Sequence, residues 1–226
     1  MVDGFVANIS ERYDDFEIIL ANQVDDGPFL RGQLCNLGFL ESVGSLIIFE
    51  DIDIRFFDRI DFVAFMKRIN HPFVPFDCTV DVEILPDGSF KRGNKRERLS
   101  GFGACAVFTR EQFEKSNGFS NLPIGWGAED NIMNTRVRYQ RIPGSIGHIS
   151  HQSNSVLWSD EHRRNYDLWQ SELSRDSNLD SFRQTVYKKR ERRQLRNFEN
   201  ASIVSFYGIG VPEDFAYKNL LPCEKE

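Results

Sequence analysis

Two short apolar runs separated by one helix-period segment limit the fold of this chain more than any other feature. Phe16 to Asn22 (FEIILAN) is rich in β-branched residues and bounded by polar segments, the pattern of a buried strand. After the turn Asp25-Asp26-Gly27-Pro28, residues Leu30, Leu34 and Leu37 recur at helical spacing up to Gly44, and Leu46 to Glu50 (LIIFE) is a second strand-like run. Strand, helix and strand in this order predict a βαβ unit with a right-handed connection and neighbouring parallel strands. Such sheets place ligands beyond the carboxyl ends of their strands, which is where Asp51-Ile52-Asp53 falls.

Further along, Arg59 to Asn70 reads as a helix, Val80 to Leu85 as a strand, Ala104 to Phe108 as a strand and Arg110 to Ser116 as a short helix. Phe90 to Leu99 is dense in Lys and Arg with glycines nearby and reads as a mobile loop, as does the Gly-rich stretch from Asn117 to Ala128. Asp130 to Arg138 resumes as a helix. Beyond His151 the sequence reads as helical to about Asn197, with a last strand at Ala201 to Tyr207. A length of 226 residues supports one α/β domain with a real core, and the 20 phenylalanines fall largely in the apolar runs, which predicts an aromatic core.

Charge and cysteine usage narrow the function. A net charge of −6 argues against general nucleic-acid binding, whose affinity comes from neutralising phosphates. The exception is Lys188 to Arg196 (KKRERRQLR), suited to peripheral contact with an anionic membrane surface or a partner, and more simply a solvated helix face. Cys35, Cys78, Cys105 and Cys223 are widely spaced without a CxxC pair and read as idle thiols. Met1 to Ser10 lacks the pattern of a secretory signal, so a cytoplasmic place, at most at the inner face of the membrane, is expected.

Three constellations could carry chemistry. Asp51 and Asp53 point to one side of an extended segment at the end of a strand, where carboxylates can hold a divalent cation against a diphosphate. Acidic pairs at strand ends are common, and it is the position after LIIFE that gives this one weight. In Gly125-Trp126-Gly127-Ala128-Glu129-Asp130, glycines flank an aromatic ring that can pack on a sugar, and two acids follow where an acceptor hydroxyl would need a base. The plain alternative is a Gly-rich turn whose acids favour a helix N-terminus. His148 and His151 are candidate metal ligands, although a regular strand would point them to opposite faces, so joint ligation needs a bend.

In order and spacing these stretches resemble the β-1,4-galactosyltransferase family, including its xylose-directed member. The resemblance runs from about Phe16 to His151, more faintly to Tyr207. It rests most on Asn22-Gln23 followed by Phe29-Leu30-Arg31 and Asn36-Leu37-Gly38-Phe39, on IIFEDID, and on GFGACAVFTREQFEKSNGFSNLPIGWGAED. It implies an α/β fold of the GT-A nucleotide-diphospho-sugar transferase type, a mixed and mostly parallel central sheet flanked by helices. A single domain is expected, with the donor, metal and catalytic core in 1–150 and a lid, C-terminal helices and last strand in 151–226. The family's domain begins with a strand and a Pro-Phe-Arg-Asn-Arg-like segment that cradles the uridine; by the resemblance Met1 is expected to fall within the helix that follows, so that either the first βα unit is lacking or donor binding is weakened or remade.

Carried over residue by residue, the resemblance assigns Phe29, Arg31 and Asp51 to the UDP-sugar donor, Asp53, His151 and His148 to Mn²⁺ or another divalent cation, and Asp130 to the role of catalytic base. Trp126, Gly127, Glu129 and Asn131 fall on the acceptor side, Asn131 standing where the family has a further acid. Gly101 aligns with a tyrosine that crowds the donor's 2-substituent in galactose-specific members, so an N-acetylated donor is expected to fit. The reaction implied is inverting transfer of a hexose or N-acetylhexosamine from a UDP-sugar to a saccharide or glycan acceptor. The rival reading is a catalytically decayed domain that keeps the fold and binds sugar or nucleotide. Retention of Asp53, Asp130 and His151 together speaks against it.

Overall fold

The computed structural model describes residues 2–21, 23, 28–76, 78–86, 90–98, 102–125, 127–142, 144–149, 160–170, 192–198 and 201–206. The elements are α1 Val2–Ser10, β1 Phe16–Ala21, α2 Arg31–Glu41, β2 Leu46–Glu50, β3 Ile54–Arg55, α3 Phe62–Ile69, β4 Phe73–Val74 and β5 Cys78–Ile84. They continue with β6 Phe90–Arg98, β7 Cys105–Thr109, α4 Arg110–Lys115, α5 Glu129–Arg136, β8 Gln140–Arg141, β9 Ser145–His148, α6 Asp160–Gln170, β10 Arg192–Phe198 and β11 Ala201–Phe206. Among the described residues no helix is long and apolar enough to cross a membrane.

The chain divides into two compact units, neither of them one continuous stretch. The first draws on residues 1–14, 45–116 and 133–157, the second on 15–44, 117–132 and 158–226.

The first unit holds two four-stranded sheets, ordered β2-β7-β4-β8 and β3-β9-β5-β6. In β2 the alternation is direct: Ile47 and Phe49 are buried while Ile48 is exposed. β2 runs antiparallel to β7 from Leu46↔Thr109 to Glu50↔Cys105, and the Asp51 N–H continues the ladder onto the Ala104 carbonyl at 3.1 Å. Phenylalanines fill the core as expected: the Phe49 and Phe113 ring centroids lie 4.7 Å apart, Phe102 and Phe108 5.1 Å, and Phe56 and Phe62 5.7 Å. Helix starts are chemically marked. Asp61 caps α3 by accepting from the Ala64 N–H at 2.8 Å, and Thr109 with Gln112 forms a reciprocal capping box on α4.

The second unit has the sheet order β1-β11-β10, with α2 packed on β1. Leu34 and Leu37 of α2 are buried, as their helical spacing predicts. The buried Asn36 uses its whole amide: it donates to the Phe119 carbonyl at 2.9 Å and to Asn121 Oδ1 at 2.8 Å, and accepts from the Phe119 N–H at 2.9 Å. The turn-rich segment that follows α4 in sequence is thereby tied to α2 at Phe119 and Asn121.

Three expectations are corrected. The runs around β1 and β2 do not pair as one βαβ unit: β1 pairs in parallel with β11, and β2 pairs antiparallel with β7. An apolar run shows that a strand exists, while its neighbour is chosen by partners distant in sequence. Phe90 to Arg98 is a strand, not a loop, because β5 pairs with it from Cys78↔Arg98 to Ile84↔Phe90, and an edge strand tolerates Lys and Arg. Residues Arg192 to Phe198 form β10, antiparallel to β11, where a helix reaching about Asn197 was expected. The start of the basic run, 188–191, lies outside the described residues. Across the described strands, antiparallel pairs are the larger share of a mixed set. Among the described residues Cys35, Cys78 and Cys105 are not joined in disulfides, and Cys223 lies outside the described residues.

Gly32 shows how tightly α2 is seated. A Cβ there would collide with the Ser120 main-chain carbonyl oxygen, and backbone cannot rotate away as a side chain can. Gly32→Ala should therefore destabilise the protein by about 1 to 3 kcal/mol, the usual range for overpacking, in spite of alanine's better helix propensity. Urea unfolding of the variant beside the parent checks this.

Candidate active site

The first unit builds one group of chemical residues. β2 delivers the chain to a turn in which the Ile54 N–H donates to the Asp51 carbonyl at 3.0 Å. β3 then pairs antiparallel with β9, setting Ile54 opposite His148, and the Ile149 N–H donates to the Asp53 carbonyl at 2.9 Å. This register brings Asp53 Oδ2 to 2.9 Å from His148 Nε2. Asp53 is only 7% exposed, while His148 keeps more of its ring in solvent. Glu50 and Arg55 flank the turn. Burial pushes the Glu50 carboxyl well above the usual range; Arg55 opposes this, and Asp51 and Asp53 add to it. Glu50 Oε1 is out of solvent with no hydrogen-bond partner among the described residues. A carboxylate with an imidazole can hold a divalent first-row cation such as Mn²⁺, the carboxylate being the donor that suits that ion best. Among the described residues no third His, Cys, Asp or Glu joins them into a closed metal cluster. His151, the expected further ligand, lies outside the described residues.

The second unit builds the other group. The Gly125 N–H donates to the Phe29 carbonyl at 2.9 Å, and Phe29 itself is 51% exposed. Gln23 braces the same segment, donating to the Pro28 carbonyl and accepting from the Leu30 N–H. Arg31, at the start of α2, pairs with Glu129 Oε1 at 3.3 Å, both side chains largely buried. Glu129 and Asp130 open α5, preceded by Gly125, Gly127 and Ala128 at φ +82°, +91° and +81°. For the alanine this left-handed backbone is a strained state. Asp130 Oδ1 accepts from the Asn131 N–H at 2.8 Å. Burial raises the Asp130 carboxyl above its usual range, against the pull of the Arg31 charge and of backbone N–H donors.

Helix α6 holds this loop in a way the sequence reading missed. The buried Asn165 donates to the Ile124 carbonyl at 3.0 Å and accepts from the Ile124 N–H at 3.3 Å, and Arg164 donates to the same carbonyl. The Glu161 carboxyl sits where a Cβ on Gly125 would be, and the His162 ring borders Gly127. Nothing in the pattern of a polar helix marks these contacts in advance. Of the remaining expected residues, Trp126 and Gly101 lie outside the described residues.

The fold and parts of the sequence are similar to those of known proteins. In three dimensions the chain superposes on the crystal structure of Drosophila β-1,4-galactosyltransferase 7, a mutant in complex with manganese, UDP-Gal and xylobiose, with a TM-score of 0.59 at 18% identity, covering 92% of this chain and 86% of that one. A second structure of that catalytic domain with xylobiose gives 0.57 at 19% identity, with the same coverage. The fold is the GT-A type with mixed sheets. In sequence, residues 90–153 match the family described as the N-terminal domain of galactosyltransferase. The chain is 32% identical over 128 residues to human β-1,4-galactosyltransferase 4, covering 57% of this chain and 35% of that protein. It is 29% identical over 147 residues to a β-N-acetyl-D-glucosaminide β-1,4-N-acetylglucosaminyl-transferase of Lymnaea stagnalis, covering 63% and 28%. The resemblance to the β-1,4-galactosyltransferases is thus carried by both sequence and fold, while the chain spans about a third of the length of these relatives.

The raised Asp130 carboxyl has a consequence for stability. Its native pKa lies above that of the unfolded chain, so ionisation opposes folding: stability is highest below the ordinary aspartate range and falls as pH rises through the raised native value. Asp130→Asn removes that loss and can still accept from the Asn131 N–H. The variant should be more stable than the parent at neutral pH, and the difference should vanish at acid pH, as read by denaturant midpoints at the two pH values.

Proposed function

We propose that this chain carries the catalytic machinery of a metal-dependent glycosyltransferase. It moves a hexose or N-acetylhexosamine from a UDP-sugar to a saccharide hydroxyl with inversion at the anomeric carbon. The observation that carries the reading is the contact of Asp53 with His148 at the end of a strand, an oxygen and a nitrogen donor brought together from distant parts of the chain. The structural relative with bound manganese, UDP-Gal and xylobiose and the matched galactosyltransferase family support it.

Asp53, His148 and His151 would hold the cation, whose contribution when bound is to neutralise charge on the departing diphosphate. Phe29 and Arg31 serve the donor, with Asp51 beside them in role. Asp130 accepts the proton of the acceptor hydroxyl while that oxygen attacks the anomeric carbon opposite the leaving UDP. A carboxyl raised by burial is a better proton acceptor than an ordinary aspartate. Glu129, fixed by Arg31, orients the acceptor with Gly127 and Asn131, and Trp126 covers the sugar. Gly101, which the resemblance aligns with a tyrosine that crowds the donor's 2-substituent, suits an N-acetylated donor, in keeping with the molluscan relative named as an N-acetylglucosaminyl-transferase.

The test is transfer from UDP-Gal, UDP-GalNAc and UDP-GlcNAc to saccharide acceptors with Mn²⁺, the product's anomeric configuration being read by NMR. Transfer with inversion is expected, the N-acetylated donors serving at least as well as UDP-Gal. Asp130→Asn should lower kcat roughly 10² to 10⁴-fold, the usual worth of general-base catalysis, while Glu129→Gln acts mainly on acceptor KM. UDP binding without transfer from any donor would favour the decayed domain. An Asp130→Asn protein with normal turnover would remove the base assignment.

A further inference from the structure

Arg55 is a buried charge that the proposed chemistry does not use. It is 2% exposed on β3, with its guanidinium 5.8 Å from the Phe5 ring centroid. Its Nη1 donates to the Ile52 carbonyl at 2.8 Å and to the Ile54 carbonyl at 2.5 Å, the carbonyls of the two residues that flank Asp53. One group thus grips the turn at two points, while the Ile54 N–H closes it on the Asp51 carbonyl and the Ile149 N–H holds the Asp53 carbonyl. Glu50, on the other side of the turn, interacts electrostatically with Arg55. Desolvating a guanidinium is costly unless its charge and donors are met, so an apolar side chain would be the cheaper way merely to fill this position.

We propose that Arg55 is a positioning residue for the Asp51-Ile52-Asp53 turn, fixing its backbone so that the Asp53 carboxylate stays beside His148. This rests on the reading of Asp53 and His148 as cation ligands. Positioning and plain electrostatics differ in sign here. Removing a positive charge near a cation site should tighten cation binding by charge alone, whereas loosening the turn should weaken it.

Mn²⁺ binding to the whole purified chain without nucleotide, followed by the EPR signal of the free ion, separates the two beside thermal melting of the same samples. Arg55→Met should bind Mn²⁺ about ten-fold or more weakly, the scale for groups that orient metal ligands, and Arg55→Lys should recover part of the loss. Arg55→Gln, polar and uncharged, should weaken binding likewise and serves as the test if Arg55→Met does not fold. Variants that melt earlier yet bind Mn²⁺ like the parent, or an Arg55→Met protein that binds it more tightly, would overturn the proposal. A parent chain that binds no Mn²⁺ would remove the cation reading itself.

Discussion

The contact between Asp53 and His148 depends on strand register more than on either side chain. β3 is only two residues long, yet its pairing opposite Gly147 and His148 of β9 decides which atoms meet at 2.9 Å. β9 is in turn held in parallel by β5, with Asp81 opposite His148. At Gly147 a Cβ would stand 2.5 Å from Val82 Cγ2 and 3.1 Å from the Arg55 carbonyl oxygen, so the strands approach closely only because that position lacks a side chain. A shift of one residue would turn His148 to the opposite face.

The second unit solves a different problem, holding two adjacent acids at a helix start without neutralising both. Arg31 takes Glu129, 6% exposed, into an ion pair, and so fixes that carboxylate. At Asp130 backbone N–H donors and the Arg31 charge pull the carboxyl down, and burial prevails over both. Two neighbouring carboxylates thereby acquire different chemistry from their surroundings, the general route by which an acid and a base are told apart in one site. The left-handed backbone at Ala128, which the neighbouring Gly125 and Gly127 adopt without cost, is the strain that this loop stores.

Much of the framework was legible in the sequence because local patterns report local structure. The apolar run of β2 and the leucine spacing of α2 act within a few residues of themselves. Strand pairing does not: FEIILA reads as a strand whichever neighbour it takes, and its partner β11 lies near the other end of the chain. The basic strands β6 and β10 were misread because each is completed by its partner's hydrogen bonds, to which side-chain polarity is nearly blind. Asp53, His148, Glu129 and Asp130 could be named from spacing and resemblance. Arg55, Glu50, Asn165 and Glu161 could not, since a charged or amide residue gives no local sign that it turns inward.

The central claim is that a cation held by Asp53 and its histidine partners binds the diphosphate of a nucleotide-sugar. Calorimetric titration of UDP into the purified chain, with Mn²⁺ and again with EDTA, tests it most directly. The account predicts saturable binding that requires the metal and is lost in Asp53→Asn protein that still melts cooperatively. Equal affinity for UDP in EDTA, or no binding under either condition, would contradict it.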